Sequence, residues 1–399
     1  MVQTRTGKED VNDRIVAEKS GWGLWWESWQ MYGLSGNDTL IGGPKNDLLS
    51  GGPDADYMAG GAGNDIYYVD DAGDRVVEAF NSGTDRIESS LGLTNLTSYA
   101  NVENLTLIGE AVNGYGNDLN NHIIGNSLNN YLVGSRGVDS LEGRAGNDTL
   151  VATDTLTDRL SGGVGDDRYI LRAANAAIII ENANEGYDSI SLEFSALDYR
   201  APDNVEVINV KGNVERVFGN NRGMVITGND GMNYLAGGSG VDRLWAAKGN
   251  DTLVSGEGND FLYGEDGDDL LLGGAGSDQL HGGAGQDQLS GWGQTQNEVD
   301  RLWGGDGADI FRLGQRNHDP FYADYGNKEY GNSYAIIEDF NRSQGDKIQV
   351  SQAHLSNYRI STGTSVSNPN RTDTFISYGG EQVAIVYNNV LTQADFVAV

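Results

Sequence analysis

The chain has 399 residues, 58 glycines, no cysteine and a formal net charge of −32. Without cysteine there is neither a disulfide framework nor thiol chemistry. So acidic a chain is unsuited to binding nucleic acid or anionic lipid, because both need a basic protein surface. No segment is long and apolar enough to predict membrane insertion.

The first 32 residues are predicted to form a short helical cap rich in tryptophan. The tryptophans follow the helical spacing i, i+3, i+4, i+7 within residues 11–32 and share one face: Trp22, Trp25, Trp26 and Trp29. This face either covers the open end of the first coil or stays exposed and binds a neighbouring subunit or a glycan. Residues 1–20 lack the apolar segment of a signal peptide.

Residues 33–68 consist of four nine-residue units: GLSGNDTLI, GGPKNDLLS, GGPDADYMA and GGAGNDIYY. Glycines at the start of a unit suit a tight turn, and the last three residues then run extended. The eighth residue is large and apolar, and a single strand of this length cannot bury it. The units must therefore stack, and two of them close one coil of 18 residues.

The nine-residue period lapses over residues 69–115 and again over 171–218, and these two spacers resemble each other. VVEAFNSGTDRI at 76–87 matches IIENANEGYDSI at 179–190, at an offset of 103 that holds from residue 78 onward. A constant offset predicts spacers that are folded parts of the solenoid and not flexible linkers.

Repeats return in a second block, 116–170, and a third, 219–312. Three units in these blocks carry asparagine in place of the sixth-position aspartate: Asn121, Asn130 and Asn233. Because a neutral amide brings no charge to a cation, we predict that these turns are hydrogen-bonded and free of metal.

The third block holds the repeat most regularly, and its sixth position is aspartate at an unbroken spacing of nine from Asp242 to Asp287. A thirteen-residue unit, GWGQTQNEVDRLW, then places Asp300. Aspartates 18 residues apart line up along one edge of the stack, where such columns repel one another unless a cation lies between them. Ca²⁺ fits best because it accepts six to eight oxygens, mixing carboxylates with backbone carbonyls.

The predicted metal ligands are the sixth-position aspartates of all three blocks. They are Asp38, Asp47, Asp56, Asp65, Asp139, Asp148, Asp158, Asp167, Asp242, Asp251, Asp260, Asp269, Asp278, Asp287, Asp300 and Asp309. About ten Ca²⁺ ions would supply roughly +20 and offset most of the negative charge.

These units resemble the RTX (repeats-in-toxin) nonapeptide, whose consensus is G-G-x-G-x-D-x-U-x with U a large apolar residue. The resemblance implies an all-β fold, a right-handed parallel β-roll with Ca²⁺ bound in the turns. It also implies export by a type I secretion apparatus, and hence an extracellular or cell-surface location.

One face of the third block is predicted to carry an aromatic column. The ninth residues of alternate units are Trp245, Tyr263, His281 and Trp303, flanked by Arg243, Phe261 and Arg301. Such residues either stack across strands and stiffen the roll or offer a flat surface to a glycan or a partner subunit.

Residues 313–399 are predicted to be a β-rich C-terminal cap. IIEDFNRSQGDKIQV at 336–350 echoes the two spacers, and YRIST, DTFISY and QVAIVYN then alternate like strands. The segment resembles the cap and secretion signal of RTX proteins.

No catalytic domain is expected, because only about thirty residues precede the first repeat and neither an HExxH nor a G-x-S-x-G motif occurs. We predict a secreted, non-enzymatic Ca²⁺-binding protein that folds on Ca²⁺ and self-associates head to tail in a surface layer, sheath or extracellular fibre. The alternatives are an adhesin or polysaccharide-binding module using the aromatic column, and an export and folding domain associated with an enzyme encoded elsewhere.

Overall fold

The computed structural model describes residues 2–9, 11–17, 27–174, 176–293, 297–313, 333–351, 357–364, 372–378 and 381–398. It divides into two compact units, Met1–Ser191 and Leu192–Val399. The described residues form 39 β-strands and two 3₁₀ turns, Leu96–Ser98 and Gln393–Asp395, with no α-helix among them. The predicted all-β class is confirmed. None of the helices in the described ranges is long and apolar enough to cross a membrane.

The first unit is a parallel β-solenoid built from short strands. Its strands are β1 (Val2–Thr6), β2 (Arg14–Val16), β3 (Ser28–Tyr32), β4 (Thr39–Ile41), β5 (Leu48–Ser50), β6 (Tyr57–Ala59), β7 (Ile66–Val69), β8 (Arg75–Val76), β9 (Arg86–Ser89), β10 (Leu93–Asn95), β11 (Asn104–Leu107), β12 (Asn113–Tyr115), β13 (His122–Ile124), β14 (Tyr131–Val133), β15 (Ser140–Ala145), β16 (Thr149–Ala152), β17 (Asp158–Val164), β18 (Arg168–Leu171), β19 (Ala177–Ile179) and β20 (Ser189–Leu192).

Each strand of this unit pairs with the strand two places along the chain, not with its sequence neighbour. The odd strands β1 to β19 form one sheet, β2 to β8 form a second, and the even strands from β10 onward follow the same rule. In the repeats the paired residues lie 18 apart, as for Leu49 and Tyr67. Two nine-residue units therefore make one coil, as the repeat predicts.

The second unit also pairs alternate strands in parallel over residues 195–350. Its strands are β21 (Ser195–Arg200), β22 (Val207–Val210), β23 (Asn213–Phe218), β24 (Val225–Thr227), β25 (Tyr234–Ser239), β26 (Arg243–Trp245), β27 (Thr252–Glu257), β28 (Phe261–Asp266), β29 (Leu270–Ala275), β30 (Gln279–Ala284), β31 (Gln288–Ser290), β32 (Val299–Asp306), β33 (Ile310–Arg312), β34 (Tyr334–Ile337), β35 (Lys347–Val350), β36 (Tyr358–Thr364), β37 (Thr372–Tyr378), β38 (Glu381–Val386) and β39 (Phe396–Ala398).

The core of each unit is built from the eighth-position side chains, which form one column on the odd strands and a facing column on the even strands. In the third block these residues are fully buried: Leu244, Leu253, Leu262, Leu271, Leu280, Leu289, Leu302 and Phe311. The thirteen-residue unit keeps the register, since Leu302 lies opposite Leu280 across β30 and β32. The extra residues therefore leave the strands undisturbed.

The N-terminal helix predicted within residues 11–32 is wrong over its described part. Residues 28–32 form β3, which pairs in parallel with β1 and β5, and Met31 is buried opposite Leu49. Aromatic residues favour strands, and glycines in this segment disfavour a helix. The aromatic run therefore completes a coil, and the roll begins before residue 33. Trp22, Trp25 and Trp26 lie outside the described residues.

The C-terminal strands fold as their alternation predicts. Strand β38 joins the roll in parallel beside β34, and it also pairs with β37, which pairs with β36, both antiparallel. Strand β39 pairs with β35. The switch from parallel to antiparallel pairing ends the repeating coil geometry with a small β-rich cap.

Candidate metal sites

All sixteen predicted aspartates are buried, each with 3% or less of its surface exposed. In each, Oδ1 accepts a hydrogen bond from a backbone N–H of the preceding coil. Oδ1 of Asp269 accepts from Asp251 N at 2.7 Å, and Oδ1 of Asp287 accepts from Asp269 N at 2.9 Å. These bonds link the aspartates into ladders along the edges of each unit. Each sixth-position residue together with its turn forms one rung of a ladder.

The second carboxylate oxygen of most ladder aspartates is buried without a hydrogen-bond partner. Within the described ranges this holds for Oδ2 of Asp38, Asp56, Asp65, Asp85, Asp139, Asp148, Asp158, Asp167, Asp242, Asp251, Asp260, Asp269, Asp278, Asp287 and Asp309. A buried polar atom with no partner costs on the order of 1–3 kcal/mol, and more when it is charged. So many repeated orphans indicate a ligand that each oxygen is placed to contact.

Glycine at the first position leaves room for that ligand. A Cβ added at Gly264 would collide with Oδ2 of Asp269 and with the carbonyl oxygen of Gly282. A carboxylate oxygen and a carbonyl oxygen therefore converge beside Gly264. At the fourth position Gly267 has φ +148°, and a Cβ there would strike the carbonyl oxygen of Gly249. Two oxygen types around a space without side chains suit Ca²⁺, which binds oxygens at about 2.3–2.6 Å.

We expect Gly264→Ala to raise the Ca²⁺ concentration needed for folding severalfold, because its methyl group occupies the space between the two oxygens. The matched control is Gly92→Ala, since a Cβ at Gly92 has no neighbour within 4 Å. The midpoint of a Ca²⁺ titration followed by circular dichroism measures the effect. Equal midpoints for the two variants would show that the space beside Gly264 is not needed.

Burial also raises the pKa of these carboxyl groups, since the low-dielectric interior disfavours the charged form. Desolvation, with repulsion from Asp300, raises the pKa of Asp278 to about 9. Desolvation raises the pKa of Asp65 to about 8 and that of Asp269 to about 6. Without a cation, many ladder carboxyls would therefore resist ionisation near neutral pH.

The side chains of the asparagine turns are hydrogen-bonded, as predicted. Oδ1 of Asn121 accepts from Asn117 N at 2.8 Å, while its Nδ2 donates to the carbonyl of Glu103 at 2.9 Å. Asn130 and Asn233 make the same pair of contacts in their own turns. Most of the aspartate turns have an Oδ2 atom without a hydrogen-bond partner. In the asparagine turns the corresponding atom is Nδ2, which donates a hydrogen bond to a backbone carbonyl.

The ladders also include acidic residues that the nonapeptide pattern misses. Oδ1 atoms of Asp74, Asp85, Asp188 and Asp346 accept from the preceding coil at 2.8–3.1 Å. The two spacers further contribute Glu78 and Glu181, which lie beside ladder aspartates in groups of three carboxylates. The signal that finds them is the 103-residue duplication, which preserves E-x₆-D in both spacers.

The family model of the RTX calcium-binding nonapeptide repeat matches residues 32–67, 115–150, 227–262, 263–295 and 298–315. The chain contains RTX calcium-binding repeats. No curated protein matches it. RTX repeats bind calcium and are typical of secreted proteins, and the RTX β-roll is typically a structural domain without catalytic activity. The convergence of carboxylate and carbonyl oxygens in the turns agrees with that chemistry.

The predicted aromatic column of the third RTX block is a continuous stack. Ring centroids are 5.4 Å apart for Trp245 and Tyr263, 4.9 Å for Tyr263 and His281, and 4.2 Å for His281 and Trp303, with interplanar angles of 10° or less. Because each inner ring is covered on both faces, it offers mainly its edge to solvent.

The flanking residues of the column are also paired. The guanidinium of Arg243 lies 5.1 Å from the ring centroid of Phe261, and Arg301 forms an ion pair with Glu338 at 2.5 Å. The first contact joins the adjacent strands β26 and β28, and the second joins β32 to the residue that follows β34, so both add to the stabilisation across this face.

Proposed function

We propose that the chain is a secreted structural protein whose roll folds when Ca²⁺ binds between the ladder aspartates, and which then self-associates outside the cell. The observation that supports Ca²⁺ binding is the repeated buried Oδ2 atom without a partner, placed beside a glycine carbonyl. The sixteen sixth-position aspartates would supply the carboxylate oxygens, and glycine carbonyls such as that of Gly282 would complete the coordination.

The number of bound ions tests this assignment. We expect about ten Ca²⁺ per chain at millimolar free Ca²⁺, since each ion lies between two successive rungs and the asparagine rungs bind none. Equilibrium dialysis with elemental analysis measures the ratio. Binding of only one or two ions would contradict ladder occupancy, because the orphan oxygens extend through all three blocks.

Self-association is supported by the strand edges with which a solenoid ends. An unpaired edge is a template for another chain, and head-to-tail contacts of this kind do not close, so they form fibres. Among the described residues, β1 hydrogen-bonds only to β3. We expect Ca²⁺-loaded protein to form linear assemblies that lengthen with protein concentration. Light scattering that shows a monomer at all concentrations would contradict this proposal.

A second candidate is a polysaccharide-binding adhesin, which would contact the polysaccharide through the outer ring face and the exposed ring edges of the aromatic column. Its four stacked rings form a half-exposed strip on one face of the third block. Glycan-array binding by the Ca²⁺-loaded monomer, lost in Trp303→Ala and retained in a matched Leu272→Ala variant on the opposite face, would support an adhesin. We propose no catalytic activity, because the buried carboxylates are engaged in the ladders.

A further inference from the structure

The last rung of the first RTX block differs from the others in its chemistry. Carboxylate oxygens of Asp65, Glu78 and Asp85 lie within 4.8 Å of one another, and these residues are only 1%, 7% and 0% exposed. The hydroxyl of Tyr67 donates to Oε1 of Glu78 and accepts a hydrogen bond from Gly60 N at 2.7 Å. Three buried acidic side chains and a phenol thus share one small volume.

The same arrangement occurs again at the end of the second block. Asp167, Glu181 and Asp188 bring their carboxylate oxygens within 4.8 Å of one another, and all three are at least nine-tenths buried. The hydroxyl of Tyr169 donates to Glu181 and accepts from Gly162 N at 2.7 Å. Both copies of the duplicated segment therefore preserve the cluster together with the tyrosine that orients its glutamate.

These clusters arise where the chain leaves the repeat. In an ordinary rung the residue 18 positions after the first glycine is another glycine, whose carbonyl faces the aspartate, as Gly60 follows Gly42. The residue 18 positions after Gly60 is Glu78, so the spacer contributes a carboxylate to this rung. Tyr67 stands at the eighth position, which is leucine in most units, and its hydroxyl reaches Glu78.

Unpartnered oxygens point into both clusters. Oδ2 of Asp65, Oδ2 of Asp85 and Oδ2 of Asp167 are buried without a hydrogen-bond partner. Three carboxylates this close cannot all be ionised unless a cation lies among them. Oxygens on opposite sides of a Ca²⁺ ion are about 4.6–5.2 Å apart, so a single ion of this size bridges the group.

We propose that each cluster is a carboxylate-rich Ca²⁺ site, distinct from the carboxylate and carbonyl rungs, and that it holds its ion more tightly than they do. This inference rests on the proposed Ca²⁺ binding of the ladders. The affinity of a Ca²⁺ site rises with the number of charged ligands and with its rigidity. Here there are three carboxylates, and one of them is fixed by a tyrosine.

A third copy of the spacer motif provides an internal control. At the corresponding positions it has Phe311 in place of the tyrosine, and its Glu338 pairs with Arg301 at 2.5 Å. Asp309 and Asp346 remain joined in the ladder at 3.1 Å. Asp339 accepts from Gly304 N at 2.9 Å in this copy, and among the described residues no three carboxylates come within 4.8 Å of one another here.

The test compares the full-length chain with the double variant Glu78→Gln/Glu181→Gln and with the control Glu338→Gln. Glutamine keeps an oxygen that accepts the tyrosine hydrogen bond and removes one charge per cluster. Bound Ca²⁺ per chain is measured by equilibrium dialysis from submicromolar to millimolar free Ca²⁺, with circular dichroism on the same samples. We expect the wild type and Glu338→Gln to retain two ions at free Ca²⁺ about tenfold below that needed by the others, and the double variant to lose that step.

The single variant Glu181→Gln, expected to lose one tight ion instead of two, serves as the test should the double variant not fold at millimolar Ca²⁺. Identical binding curves for wild type and variants would overturn the inference and show that the clusters hold protons instead. A wild-type curve with no early two-ion step would also overturn it. A wild type that binds no Ca²⁺ at all would instead refute the proposed function.

Discussion

Removal of Ca²⁺ is expected to abolish most of the far-UV β-sheet signal of this protein. The ladder aspartates are buried and stacked one coil apart, and burial with the repulsion of neighbours opposes their ionisation. Folding without Ca²⁺ must therefore either charge these columns or take up many protons, and at neutral pH both are costly. We expect the narrow apolar core, two facing columns of side chains in the repeats, not to offset this cost.

A Ca²⁺ titration of chelated protein, followed by circular dichroism, measures the effect, and we expect a cooperative gain of β structure. Mg²⁺ at equal concentration is the control, because its shorter bonds and strict octahedral geometry do not suit widely spaced carboxylate and carbonyl oxygens. A full β spectrum in excess chelator, or equal recovery with Mg²⁺, would contradict the proposed coupling of folding to Ca²⁺.

Acidification is expected to restore β structure to the Ca²⁺-free chain. Burial raises the pKa of Asp278 to about 9, of Asp139 to about 8 and of Asp242 to about 7, whereas an unfolded aspartate titrates near 3.8. A carboxyl with a raised folded-state pKa stabilises the fold fully below its unfolded pKa and loses that contribution as pH rises through the folded pKa. The metal-free roll is therefore most stable near pH 4 and destabilised progressively towards pH 7–9.

The measurement is circular dichroism of protein freed of Ca²⁺ on a chelating resin, recorded from pH 8 down to pH 4. The Ca²⁺-loaded protein serves as the control and should respond in the opposite direction, because protons compete with the ion for the same oxygens. A metal-free chain that remains equally disordered at both pH values would show that the aspartates are not what prevents its folding.

The nonapeptide period predicts the fold well because every unit repeats the same constraints on backbone conformation and side-chain burial. A glycine turn, a large apolar residue and an aspartate at fixed spacing predict the 18-residue coil, the burial of Leu271 and the alignment of Asp269 with the other aspartates of its edge. The prediction is wrong at the N-terminus, where the tryptophan spacing predicts a helical face for Trp29 and the chain forms β3. Residue spacing alone does not report the backbone hydrogen bonds that β1 and β5 offer to β3.

The carboxylate clusters escape sequence reasoning for a different reason. Glu78 lies outside every nonapeptide, and its role depends on the path that the backbone takes after the repeat ends. Only the structure shows that it meets Asp65 and that the hydroxyl of Tyr67 reaches it from the core column. The duplicated E-x₆-D motif singles out these residues in the sequence, but only the structure shows that their carboxylates lie close together.

The duplication within the first unit has a consequence for symmetry. Strand β7 carries Tyr67 and belongs to the sheet of odd strands, whereas β18, eleven strands later, carries Tyr169 and belongs to the sheet of even strands. Since two strands make one coil, the duplicated segment spans five and a half coils, and its second copy is turned by half a revolution about the axis. The two tyrosine–carboxylate clusters therefore lie on opposite sides of the first unit.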